Sequence, residues 1–215
     1  MKEFCLNITP FMQPKPTRNK GGDCFACSVT AGLRHLFPER PVEFETAWNY
    51  FMAETMGGSK QLNNTWTGMR RALYEADSDG YGMTILSDIV RPTYDTERFS
   101  HNWWGFVPDY EYTRRLEGWL RGGWVAFAEI NHEGAGPVTP EGKLNHPNHF
   151  VLVDGAREVW EPSLAVSGAR TLLHYVHVVC SAKGAYWIPA YDWLVKHGAA
   201  AWWLARRDEL PSRKG

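Results

Sequence analysis

The chain has 215 residues, with 23 basic side chains against 24 acidic ones and a formal net charge of −1. That length suffices for one domain to bury a core without disulfide staples. The even charge balance excludes the basic excess of a dedicated nucleic-acid binder. No apolar run approaches membrane-spanning length, and Met1-Lys2-Glu3-Phe4-Cys5 lacks the apolar stretch of a signal peptide. The expectation is therefore a cytoplasmic protein, with no membrane or nucleic-acid partner. Its four cysteines, Cys5, Cys24, Cys27 and Cys180, are then expected as free thiols.

In chain order, residues 1–22 read as irregular and extended, because Pro10, Pro14 and Pro16 forbid a helix and Gly21-Gly22 give a turn. Asp23 is a good N-cap. A helix follows from Cys24 to Phe37, with Ala26, Val29, Leu33 and Leu36 on one stripe. Further helices are predicted over Phe44 to Thr55, Thr65 to Ala76, and Asp109 to Arg121, the last stopped by Gly122-Gly123. Residues 77–108 are mixed and turn-rich.

From Trp124 the period changes. Trp124 to Ile130 reads as a buried strand, 131–148 as a loop rich in Gly and Pro, and 149–153 and 157–160 as two strands about a turn at Asp154-Gly155. Thr171 to Cys180 is a further strand and Tyr191 to His197 a short helix. Ala201 to Ala205 is either an edge strand or an extension of that helix. Helices first and strands after give an α+β domain with N-terminal helices packed on a C-terminal, mostly antiparallel sheet. No linker divides the chain into domains.

Two stretches carry chemistry. In Gly21-Gly22-Asp23-Cys24 a glycine turn feeds a helix whose first turn holds a cysteine. Free N–H groups and the macrodipole at a helix N-terminus favour a thiolate. In Asn148-His149-Phe150-Val151-Leu152-Val153 a histidine opens an apolar strand. A thiol and an imidazole brought together from distant parts of the chain make a nucleophile and its base. Cys24 is the expected nucleophile, with Cys27, one helical turn on, as the alternative. Glu161, twelve residues after His149, is the candidate that orients the imidazole. It reaches His149 only if the intervening hairpin has a three-residue loop or a bulge. The oxyanion donor would be Gln13, with Asn19 as the alternative.

These residues resemble the papain-like cysteine peptidase superfamily, and most of all its compact bacterial and phage-encoded members. The bacteriocin-leader-processing peptidases carry a Gln, then Asp-Cys opening a helix, then His followed by three apolar residues, then Asp-Pro. Here the matching residues are Gln13, Asp23-Cys24, His149-Phe150-Val151-Leu152 and Glu161-Pro162. The resemblance implies a papain-like fold and a hydrolase using a Cys24–His149–Glu161 triad with Gln13 as oxyanion donor. The chain departs in a more distant Gln, a Glu for the Asp, and a second cysteine at +3. In plant-type papains the second cysteine of a Cys-x-x-Cys is the one that acts, which keeps Cys27 as a candidate. Cell-wall peptidases of the NlpC type share the Asp-Cys, so the peptide of peptidoglycan joins other peptides and proteins as a candidate substrate.

No cofactor and no metal are expected. His146-x-x-His149 has the wrong spacing for a zinc finger. A thioredoxin-type Cys24-x-x-Cys27 pair would need a strand just before it, which Pro14 to Gly22 does not offer. Two other functions use the same residues differently: an acyltransferase or transglutaminase with the same triad, and a silent papain-like binding or effector protein. Trp103-Trp104 and Trp202-Trp203, among eleven tryptophans, could line an aromatic groove. The loop 131–148 could act as a gate.

Overall fold

The computed structural model describes residues 2–14, 23–52, 65–89, 109–130, 149–163, 167–197 and 201–208. These form a mixed helical and antiparallel β structure. The helices are α1 (Asp23–Leu36), α2 (Phe44–Met52), α3 (Thr65–Ala76), α4 (Asp109–Arg121) and α5 (Ala190–Lys196). The strands are β1 (Lys2–Cys5), β2 (Met83–Ile89), β3 (Val125–Ile130), β4 (His149–Pro162), β5 (Arg170–Cys180), β6 (Gly184–Pro189) and β7 (Ala201–Arg207). The sheet runs β2-β7-β3-β4-β5-β6 with every pairing antiparallel. β1 pairs with the second half of β4, beyond the stretch that β3 occupies. Among the described residues no helix is long and apolar enough to cross a membrane.

Both faces of the sheet are covered, which explains the near-continuous apolar runs of β3 and the first half of β4. Val125, Phe127, Phe150, Leu152 and Val179 face α1, α2 and α3. Ala126, Ile130, Val151, Val153, Val178 and Cys180 face α4 and α5, where the Trp193 indole N–H donates to the Tyr112 hydroxyl at 2.6 Å. The helices are therefore not all on one side. The three N-terminal helices pack on one face, as expected, and α4 and α5 close the other.

α1 is buried along almost its whole length and lies along β4. Phe25 meets Phe150 edge-on with ring centroids 5.0 Å apart. Further along, His35 is close enough to feel the charge of Asp154. Between them Gly32 lets the helix backbone approach the sheet: a Cβ there would stand 2.5 Å from Phe127 Cζ. A central helix carrying a glycine is otherwise costly, so this contact is what the residue is for.

Several expectations change. β4 is one continuous strand from His149 to Pro162. Asp154-Gly155 is a register shift within it, between Val153 and Gly155, and not a hairpin turn. The turn dipeptide is overridden because β5 pairs with β4 on both sides of it. β7 is an interior strand between β2 and β3, not an edge. β1, β2 and β6 were not anticipated; each is short or carries polar residues that blur the alternation. Residues 53–55 of the second predicted helix lie outside the described residues.

Gly32→Ala should lower stability in urea unfolding. Overpacking costs about 1–3 kcal/mol, against a helix-propensity gain of about 1 kcal/mol. Gly118→Ala, on α4 with nothing within 4 Å of the added methyl, should raise it. A stabilising Gly32→Ala would show that α1 does not sit this close to the sheet.

Candidate active site

Cys24 lies in the first turn of α1, with 5% of its surface exposed. Its thiol sits where the backbone N–H of Phe150, the residue after His149, can bond it, together with the N–H of Phe25. The course of α1 along β4 thus brings Cys24 to the backbone beside His149, but on the α1 face of the sheet, whereas His149 meets Cys180 on the α4 and α5 face. Burial is the largest influence on the thiol and pushes its pKa up. These two N–H groups and that of Cys24 itself pull it down, and the neighbouring Cys180 raises it. The net direction is upward, so Cys24 is a protonated thiol at neutral pH and not half of a preformed ion pair.

His149 opens β4 opposite Ile130 of β3 and is buried. Its Nε2 lies 3.2 Å from Cys180 Sγ. Cys180 arrives there because β5 runs back antiparallel to β4 and ends beside it. The next residue, Ser181, accepts the backbone N–H of Gln13 at 3.0 Å. The otherwise irregular N-terminal segment therefore returns to this corner. Gln13 is half-buried and stands one residue from the group that contacts His149.

The other sequence candidates fall elsewhere. Cys27 is 1% exposed in the core between α1 and its neighbours, and burial, then the nearby Cys24 and Asp23, push its pKa to about 12. Such a thiol is inert. Glu161 is at the opposite end of β4 from His149. Twelve residues of strand at about 3.3 Å each separate them by roughly 40 Å. Its carboxylate accepts the Tyr175 hydroxyl at 2.6 Å, and Thr171 stands across from it. Glu161 does not orient His149, because the hairpin that would have folded it back does not exist. Asn19, His146, Trp103-Trp104 and the loop 131–148 lie outside the described residues. Trp203 is buried in the core on the α1 side, and the side chain of Trp202 lies outside the described part of the structure.

Two features escaped sequence reading. Glu129 on β3 stands directly across from Phe150. Its Oε1 is shielded from solvent without a hydrogen-bond partner among the described residues, and burial raises its pKa to about 8. The only signal was a lone acidic residue in the apolar run of β3.

The second feature is a cluster of Cys5, Asp154 and His177. His177 Nδ1 lies 2.5 Å from Asp154 Oδ1 and 3.3 Å from Cys5 Sγ. Burial disfavours the charged imidazole, but the hydrogen bonds and charges of Asp154 and Cys5 together outweigh it and lift the pKa to about 9. These residues come from three strands, so no local motif could have gathered them. Both partners meet the same ring nitrogen of His177, which is not the relay of a nucleophile, a base and an orienter on opposite nitrogens.

No protein-family model and no curated protein sequence matches the chain. The reading of the site therefore rests on its own geometry.

Glu129 has a consequence for stability. The folded protein keeps the carboxyl protonated up to about pH 8, whereas the ordinary carboxyl value is 4.5. Between those values the unfolded chain has released the proton and the folded one has not, so stability falls as pH rises through the window. Glu129→Gln should remove this slope. The melting temperature of the wild type should fall relative to the variant from about pH 5 to about pH 8. Parallel profiles would mean that the carboxyl is not held in its neutral form.

Proposed function

We propose that this chain is a papain-like cysteine-dependent hydrolase of peptide or amide bonds, with Cys24 as nucleophile and His149 as base. The observation that carries this is the meeting of the Cys24 thiol, at the start of a buried helix, with the backbone N–H that follows His149. It brings Cys24 to the backbone next to His149 in a helix-on-antiparallel-sheet arrangement, and catalysis would need the imidazole to turn from Cys180 toward the thiol.

The raised thiol pKa sets the order of events. His149 takes the Cys24 proton as sulfur attacks the carbonyl carbon, acting as a general base. Negative charge then develops on the carbonyl oxygen. The free N–H groups of the first turn of α1 are suited to receive it, with Gln13 as the nearest side-chain amide candidate. His149 next gives its proton to the departing amine. Water, activated by the same imidazole, hydrolyses the thioester and regenerates the thiol. An amine in place of water would make the reaction an acyl transfer. A peptide or protein is the substrate class, with peptidoglycan peptide among the candidates. Cys180 Sγ lies against His149 Nε2, and it is a weaker hydrogen-bonding partner than a carboxylate or amide.

A silent binding scaffold is the second reading. It is favoured by the buried, protonated state of Cys24 and by the contact of His149 with Cys180 on the sheet face opposite Cys24.

Turnover of p-nitrophenyl acetate, a generic activated acyl donor, separates the two. The hydrolase reading predicts that Cys24→Ser falls to the uncatalysed rate and that His149→Ala loses about 10²–10⁴-fold. Cys27→Ser should stay within about twofold of wild type, because its thiol is inert. A Cys24→Ser variant as active as wild type would overturn the assignment. A wild type no faster than buffer would support the scaffold.

A further inference from the structure

We propose that Cys5, Asp154 and His177 form a binding site for one divalent transition-metal ion of the zinc type, separate from the Cys24–His149 corner. The site is built by the sheet. Cys5 of β1, Gly155 of β4 and His177 of β5 stand in one row across three strands. Gly155, in the middle, contributes no side chain. A Cβ there would lie 2.9 Å from His177 Cβ and 3.0 Å from Cys5 Sγ. The glycine thus leaves a gap between a thiol and an imidazole. The register shift between Val153 and Gly155 then turns the Asp154 carboxylate into the same gap. All three donor atoms lie within 4.8 Å of one another.

Their separations approach those of a tetrahedral zinc site. Bonds of about 2.3 Å to sulfur and 2.0–2.2 Å to nitrogen and oxygen put ligand atoms about 3.6 Å apart across a sulfur edge and about 3.3 Å apart otherwise. Cys5 Sγ lies 3.3 Å from His177 Nδ1 and 3.8 Å from Asp154 Oδ1. Only the Nδ1–Oδ1 pair, now at 2.5 Å and sharing a proton, must open. The metal would take the place of that proton and of the thiol proton, and both would pass to solvent. A thiolate, a carboxylate and a neutral imidazole then balance a dication. Sulfur and imidazole favour zinc-like ions over calcium or magnesium.

The ligands are also held from behind. The Ile8 N–H donates to Asp154 Oδ2 at 2.7 Å and fixes the carboxylate. The Asn7 N–H points at Cys5 Sγ at 3.4 Å, with Asn7 in the left-handed region at φ 56°. The His177 ring packs on Trp187 at 4.8 Å. Such outer partners are what orients metal ligands. Cys5 and His177 are partly exposed, which leaves a fourth position for water.

The test is a titration of the full chain, stripped with chelator and kept reduced, with Co2+ as a spectroscopic probe and Zn2+ as competitor. The expected result is one Co2+ per chain with a thiolate-to-cobalt charge-transfer absorption, displaced by Zn2+ and accompanied by a higher melting temperature. Cys5→Ser, checked for folding by circular dichroism, should lose that absorption. It should also bind Zn2+ at least about 100-fold more weakly, a loss no smaller than that of an outer-shell partner. Cys24→Ser should bind as wild type does. Absence of the thiolate absorption in the wild type would overturn the proposal. So would its persistence in Cys5→Ser or its loss in Cys24→Ser.

Discussion

The close seating of α1 on the sheet is the constraint from which the rest follows. The helix can lie along β4 only because Gly32 presents no side chain to Phe127. With that contact made, Phe25 falls against Phe150, and Cys24 falls beside the N–H of Phe150. A helix held a few ångströms further out would move the thiol away from the end of the strand where His149 stands. The glycine of the helix interior and the cysteine of its first turn are therefore parts of one arrangement.

The same burial that builds the corner sets its chemistry. A helix N-terminus lowers a thiol pKa when the anion is partly solvated. Here desolvation outweighs the N–H groups, and Cys24 remains a thiol. Cys27, deeper still, is pushed further in the same direction. Cys5 has the opposite setting: partly exposed, within reach of an imidazole and a carboxylate, and bordered by the open face of a glycine. Three cysteines of one chain are thus separated in environment by burial and by charged neighbours, not by local sequence.

Much of the fold was legible because long periodic elements speak for themselves. The stripe Ala26, Val29, Leu33 and Leu36 marks α1, and the cap at Asp109 with the stop at Gly122-Gly123 marks α4. Asp154-Gly155 misled, since a dipeptide that favours a tight turn in isolation forms a bulge when a neighbouring strand pairs on both sides of it. That single difference moves Glu161 to the far end of β4 and hands its expected place beside His149 to Cys180. At the site, Cys24 and His149 were readable from a helix start and a strand start. Cys180, Glu129 and the Cys5–Asp154–His177 cluster were not, because they are joined only through strand pairing between distant segments.

The most direct measurement of the central claim is the site of acylation. Wild-type protein is mixed with p-nitrophenyl acetate, quenched in acid within the first turnover and mapped by mass spectrometry. The predicted result is one hydroxylamine-labile acetyl group per chain, on Cys24, formed far more slowly in His149→Ala. An acetyl group on Cys5 or Cys180 instead, or labelling of Cys24 at the same rate without His149, would contradict it.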